Sequence, residues 1–98
     1  VFGPVLGITT FTDPEEAITL ANNTKYGLAA SVFTSSNQTA HVAARTLKAG
    51  TVAVNCYGEG DVTTPFGGYK LSGFGGRDKS LAAHDQYCEL KTIWIDLK

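Results

Sequence analysis

The 98-residue sequence has no methionine, two cysteines, two histidines, one tryptophan and no excess of either charge, eight Lys and Arg against nine Asp and Glu leaving −1. Each shortage excludes a class of function. Cys56 and Cys88 are too few for a disulfide scaffold and lack CxxC spacing, so they read as reduced thiols in a cytoplasmic setting. His41 and His84 stand 43 residues apart, whereas a zinc site wants clustered ligands, and no metal is expected. Without a basic excess there is no electrostatic footprint for nucleic acid. No apolar run approaches the roughly 20 residues that span a bilayer, and no basic n-region precedes a short apolar stretch. A 43% hydrophobic content with so little net charge is foreign to disordered chains. There is no internal repeat. The expectation is one near-neutral globular unit with a modest core.

What is present is regular at first. Residues 5–10 are β-branched and apolar apart from Gly7 and predict a buried strand. Asp13-Pro14-Glu15-Glu16 supplies an N-cap, a proline at the first helical position and capping-box spacing. The stripe Ala17, Ile18, Leu20, Ala21 continues the helix, with Gly27 as its positive-φ terminator. Residues 28–34 predict a second strand, and Ala40, Ala43, Ala44 and Leu47 predict a second helix from their i, i+3, i+4, i+7 spacing. Arg45 and Lys48 suit that helix's C-terminal dipole, with Gly50 at C′. Residues 51–57 predict a third strand. Strand–helix–strand–helix–strand order calls for crossovers on a parallel sheet, an α/β fold.

Regularity then breaks. Residues 58–76 carry seven glycines and Pro65, interleaved with Phe66, Tyr69 and Phe74 and preceded by Tyr57. Aromatics have area to bury, which favours an ordered loop over a floppy linker. A short helix is expected from about Asp78 to His84. Residues 89–98 alternate with period 2 and carry apolar groups on both faces, Trp94 on one and Ile93 and Ile95 on the other. This reads as a pairing or subunit-contact strand.

Candidate chemistry is sparse. Gly73-Phe74-Gly75-Gly76-Arg77 before a helix is either a phosphate cradle or glycine serving turns and close approach; it matches no nucleotide-binding motif. Cys56 or Cys88 with His41 or His84 is open as a nucleophile–base pair, against the plainer reading of core thiols. Glu59 and Asp61 form an acidic patch that is either a solvated loop tip or an attractor of cationic substrate groups. No complete catalytic constellation is visible.

Four motifs point further. Val1-Phe2-Gly3-Pro4-Val5, Ala21-Asn22-Asn23-Thr24-Lys25-Tyr26-Gly27-Leu28, Gly50-Thr51-Val52-Ala53-Val54-Asn55 and Pro65-Phe66-Gly67-Gly68-Tyr69-Lys70-Leu71-Ser72-Gly73 resemble, in order, the C-terminal part of NAD(P)-dependent aldehyde dehydrogenases. The tail from Gly76 to Leu81 and from Glu89 to Ile95 looks most like the branch acting on γ-glutamyl-γ-aminobutyraldehyde and related aminoaldehydes. The resemblance implies a fragment that is inactive alone, since the family's nucleophilic cysteine, general-base glutamate and Rossmann-type cofactor domain lie upstream of Val1. The opening inside a motif, without an initiator Met, agrees. The intact enzyme would use thiolate attack on the aldehyde, hydride transfer to NAD+ or NADP+ and thioester hydrolysis.

Residue by residue, the resemblance implies that Phe2 packs beside the nicotinamide ribose. Tyr57, Glu59, Asp61 and Phe66 would shape the aldehyde pocket. It places residues 1–88 in the catalytic domain, with a substrate-anchoring and glycine-rich loop at 57–76. Residues 89–98 would be an oligomerisation strand, with Glu89, Ile93, Trp94 and Ile95 at subunit contacts of a dimer or tetramer. Two departures matter. Gly58-Glu59-Gly60-Asp61 replaces a bulky apolar pair, which widens the entrance and makes it acidic, for a long aldehyde with an amine- or amide-bearing tail. Ser72-Gly73-Phe74-Gly75-Gly76-Arg77-Asp78 is one residue longer than the common run, which leaves roles for Arg77 and Asp78 open. The competing readings are an autonomous small α/β binding or association module without catalysis, and a small independent thiol enzyme.

Overall fold

The computed structural model describes residues 2–58 and 60–98. Its elements run α1 (Pro14–Asn22), β1 (Tyr26–Gly27), β2 (Ala29–Val32), α2 (Asn37–Thr46), β3 (Thr51–Val54), β4 (Tyr69–Lys70) and α3 (Ala82–Asp85). The class is α/β. Strands β2 and β3 pair in parallel from Ala29↔Thr51 to Val32↔Val54, with α2 as the crossover between them. Strand β1 pairs antiparallel with β4, Tyr26 opposite Lys70 and Gly27 opposite Tyr69.

The helix starts follow their local chemistry. The Asp13 carboxylate accepts from the Glu16 N–H at 2.9 Å, and Pro14 opens α1 where no amide partner is needed. Glu16 reaches back one residue further than a capping box, accepting from the Thr12 amide at 2.7 Å and the Thr12 hydroxyl at 2.6 Å. The Ser36 hydroxyl accepts from the Thr39 N–H to cap α2.

Two glycines serve a different purpose from the one their position predicts. Helix α1 ends at Asn22 and α2 at Thr46, upstream of Gly27 and Gly50, neither of which has positive φ. Both are needed for close approach. A Cβ on Gly27 would lie 2.5 Å from the Lys48 carbonyl oxygen, and one on Gly50 would overlap the Gly67 carbonyl oxygen. The helix ends are tied instead by side chains. Asn22 donates to the Thr46 carbonyl at 2.9 Å and accepts from the Lys48 N–H at 2.8 Å. The Lys70 ammonium donates to the Asn22 and Thr24 carbonyls at 3.0 and 2.9 Å.

Other expectations are corrected. Residues 5–10 form no ladder and their Val5, Leu6 and Ile8 side chains are exposed; a strand needs a neighbour for its amides, and the described chain places none there. Residues 89–98 likewise form no strand here and stand exposed. The parallel sheet therefore has two strands rather than three. Strand β3 stops at Val54 because Asn55 turns to φ 55°. Helix α3 starts at Ala82 rather than near Asp78, because Lys79 and Ser80 hold left-handed backbone at φ 60° and 53°.

Little of this chain is covered by itself. Ala43, on α2, is the buried hydrophobic residue among those described. The accessible surface is 8500 Å² at 10.4 kDa, against about 5,400 Å² for a compact monomer of that mass. The radius of gyration is 18.5 Å, against about 13 Å for a compact domain of this length. The difference lies in the two extended arms and in an apolar groove of about 470 Å³ between α1, α2 and β2, lined by Phe11, Ile18, Val32, Ala43 and Leu47 among others.

Candidate functional site

The loop after β3 is launched by Asn55. Its side-chain amide accepts from the Thr34 N–H at 2.8 Å and donates to the Thr34 carbonyl at 3.0 Å. This pins the exit of β3 beside the exit of β2 and spares residue 55 the usual cost of positive φ, which Asn tolerates best among non-glycines. Beyond it, Cys56, Tyr57, Gly58, Gly60, Thr64 and Pro65 face β3 across an open cavity of about 560 Å³. Tyr57 is almost wholly exposed at this rim.

The far side of the loop is a tight turn. Asp61 accepts from the Thr63 amide at 2.7 Å and also from the Thr63 hydroxyl. Thr64 closes the turn through its hydroxyl, which accepts from the Asp61 N–H at 3.0 Å and donates to the Asp61 carbonyl at 2.8 Å. The Thr63 hydroxyl, then the Thr63 amide and, more weakly, the Thr64 amide and the charge of Lys79, hold the Asp61 carboxyl below the usual carboxylate range. Asp61 is thus an ionised loop organiser. Glu59, its expected acidic companion, lies outside the described residues.

Phe66 is fixed from the C-terminal side. It exchanges backbone hydrogen bonds with Asp78, and the Lys79 ammonium sits 5.5 Å from its ring centroid. The Ser80 N–H donates to the Val62 carbonyl at 2.8 Å. The segment 78–80 therefore holds the loop at both Val62 and Phe66. Asp61 and Phe66 come together against this strap, whereas Tyr57 faces the β3 cavity. The left-handed pair that makes the strap has no sequence signature, since Lys and Ser rarely adopt that conformation.

The remaining candidates separate. Phe2 is fully exposed on the N-terminal arm, and Glu89, Ile93, Trp94 and Ile95 are exposed on the C-terminal arm. The glycine run before α3 is not a phosphate cradle: Gly73 lets the chain pass the Gly68 carbonyl oxygen, 2.8 Å from where a Cβ would stand, and the four-residue α3 begins only at Ala82. Arg77 lies over the Tyr69 ring at 5.6 Å. Both cysteines are exposed, not core thiols. Cys88 Sγ is 3.7 Å from His84 Nδ1 across the end of α3, but among the described residues no carboxylate is hydrogen-bonded to His84 to orient it as a base. No helix among the described residues is long and apolar enough to cross a membrane.

A parallel β2–α2–β3 unit followed by a glycine-rich loop over the strand ends is an arrangement found in α/β enzymes. Residues 1–93 match the model of the aldehyde dehydrogenase family, and the chain belongs to that family. It is 66% identical over 96 residues to an aminoacetaldehyde dehydrogenase of Pseudomonas aeruginosa, covering 98% of this chain and 19% of that protein. An indole-3-acetaldehyde dehydrogenase of P. syringae, solved as a mutant with NAD+ and IAA, superposes with a TM-score of 0.86 at 59% identity over 97% of this chain and 19% of its own. A γ-glutamyl-γ-aminobutyraldehyde dehydrogenase of Burkholderia cenocepacia gives a TM-score of 0.76 at 61% identity over 83% of this chain and 16% of its own. The chain spans about a fifth of the length of the curated relatives it matches.

Proposed function

We propose that this chain is the C-terminal portion of an enzyme that oxidises an aldehyde, in particular an aminoaldehyde, to the acid with NAD(P)+. In this reading it supplies one wall of the substrate pocket and subunit contacts. The observation that carries the reading is the clamped loop: Phe66, held by its backbone to Asp78, stands at the end of a turn whose Asp61 is kept ionised. An aromatic of fixed orientation beside an acidic turn suits an aldehyde with a polar, nitrogen-bearing tail. The names of the aminoacetaldehyde and γ-glutamyl-γ-aminobutyraldehyde relatives support that substrate class. Tyr57, at the rim of the neighbouring cavity over β3, is a further part of the substrate wall in this reading.

Bound NAD(P)+ supplies the hydride acceptor. Among the described residues Phe2 would contact it, an aromatic ring exposed on its arm and available to pack beside a sugar; the rest of that site would come from other polypeptide. Glu89, Ile93, Trp94 and Ile95 offer the subunit contact. Exposed, unpaired thiols at Cys56 and Cys88 accord with a cytoplasmic location.

The test is turnover. The full-length protein that carries this chain is expected to form NADH or NADPH in the presence of an aminoaldehyde, and Phe66→Ala to lower kcat/KM. The isolated 98 residues are expected to show none. Aldehyde oxidation by the isolated chain, or Phe66→Ala without effect in the full-length enzyme, overturns the reading.

A further inference from the structure

We propose that Gln86 is a positioning residue for the substrate loop: seated over Gly76, in space that a side chain there would fill, its amide holds Asp78, and Asp78 in turn holds the loop side of the cavity over β3. The proposal rests on the reading of that loop as substrate wall. It also gives the extra residue in Ser72-Gly73-Phe74-Gly75-Gly76-Arg77-Asp78 a purpose.

The glycine pair makes the room. Gly75 has φ 134°, a backbone region that residues with a Cβ rarely enter. Gly76 serves differently: a Cβ on it would stand 2.7 Å from Gln86 Oε1 and 3.7 Å from Gln86 Cβ and Cδ. The Gln86 side chain therefore lies across the bare Cα of Gly76. From there its Nε2 donates to Asp78 Oδ1 at 2.7 Å. The amide can face only this way, because a carboxylate accepts and does not donate.

Asp78 is where this contact reaches the loop. Its backbone exchanges hydrogen bonds with Phe66, and the Ser80 N–H donates to the Val62 carbonyl. Thr64 and Pro65, between those two points of attachment, line the cavity of about 560 Å³ together with Tyr57. The strap that makes the attachments has a place to bend on either side of Asp78, with Gly75 and Gly76 before it and left-handed Lys79 and Ser80 after it. Gln86, at the end of α3, closes the stretch 78–86 through its side chain and ties the strap to that helix. Such a bond to a carboxylate is stronger than a neutral one, but it is solvent-exposed, so its removal shifts the loop rather than unfolding it.

The test uses the full-length enzyme. Gln86→Ala should raise KM for an aminoaldehyde about two- to fivefold, the scale of one exposed hydrogen bond to a charged group. It should leave kcat and the KM for NAD(P)+ near wild type. Gly76→Ala should raise the same KM by the same factor, because its methyl group displaces the Gln86 amide. In a Gln86→Ala background it should add little, since nothing remains there to displace. An aldehyde KM equal to wild type in Gln86→Ala, or full additivity of the two substitutions, overturns the positioning role. So does a fall in kcat with a joint rise of both KM values, which marks a general structural defect. Tyr57→Ala and Phe66→Ala in parallel report on the wall itself: if neither changes the aldehyde KM, the reading beneath the proposal falls, whatever the Gln86 variants do.

Discussion

Phe66 and Asp78 exchange both of their backbone hydrogen bonds, Phe66 N–H to the Asp78 carbonyl at 2.8 Å and Asp78 N–H to the Phe66 carbonyl at 2.6 Å. This one antiparallel step closes the stretch between them into a loop that contains β4. The orientation of Phe66 is therefore set jointly by β3, from which the loop departs, and by the strap that leads into α3. Glycines within the closed stretch let the chain cross itself. A Cβ on Gly67 would stand 2.7 Å from both the Arg77 Cδ and the Gly76 carbonyl oxygen.

The tightest of these crossings predicts a stability effect away from the pocket. A Cβ on Gly50 would overlap the Gly67 carbonyl oxygen and lie 2.8 Å from its carbon. Backbone is the obstacle, so no rotamer change relieves it. Gly50→Ala should cost about 1–3 kcal/mol, as overpacking does, read as a lower Tm of the full-length protein. Because the displaced residue follows Phe66, KM for the aldehyde should rise as well. A Tm and KM equal to wild type would show that the crossing is looser than described.

The sequence made the helices and the parallel pair legible because their causes are local. Asp13 and Ser36 cap the helices by reaching only three residues ahead, and the apolar spacing of Ala40, Ala43 and Leu47 marks the face that α2 turns to the sheet. The misread positions depend on partners far along the chain. Gly27 and Gly50 sit where local pattern predicts helix ends, yet their need for a missing side chain arises from Lys48 and Gly67. Strands β1 and β4 are two residues each and exist through their mutual pairing, which no period reveals. For residues 5–10 and 89–98 an apolar β pattern states what the backbone can do when a neighbour is supplied, not that this chain supplies one. At the site, acidic composition marks Asp61, while Tyr57 and Phe66 enter as pocket candidates through the family resemblance. Asn55, Lys79 and Ser80 escaped notice because their importance lies in backbone conformation and long-range hydrogen bonds.

Two carboxylates predict the acid limb of the stability profile. Glu16 is held below its ordinary range chiefly by the Thr12 hydroxyl, then by the Thr12 amide, and Asp61 by the Thr63 hydroxyl and amide. A carboxyl whose pKa is lower folded than unfolded contributes stability that is complete above the unfolded value. That contribution fades as pH falls through the folded one. The loss should therefore begin near pH 4.5 for Glu16 and 3.8 for Asp61 and continue below. Both groups are solvent-exposed, so the effect is a modest steepening of Tm against pH. Glu16→Gln combined with Asp61→Asn should flatten that limb by lowering Tm modestly near neutral pH, with little change at acid pH where both carboxyls are already protonated. An acid limb of unaltered slope would remove these hydrogen bonds as its cause.

The C-terminal arm carries the last expectation. Ile93, Trp94 and Ile95 are each at least 71% exposed, and within residues 89–98 the hydrogen bond formed is the local one from the Lys98 N–H to the Asp96 carboxylate at 3.0 Å. An extended segment with open amides and apolar groups on both faces gains most from a second strand alongside it, because pairing satisfies the backbone and covers the side chains at once. Ile95→Asp places a charge on that surface, where burial without a partner is costly. Since the arm is exposed along its length, the substitution should leave the local fold intact while shifting the full-length protein toward smaller species in sedimentation velocity. Trp94→Phe, which keeps the apolar surface, should not shift it. An unchanged distribution for Ile95→Asp would exclude this arm from the subunit contact and leave the groove between α1, α2 and β2 as the face to examine.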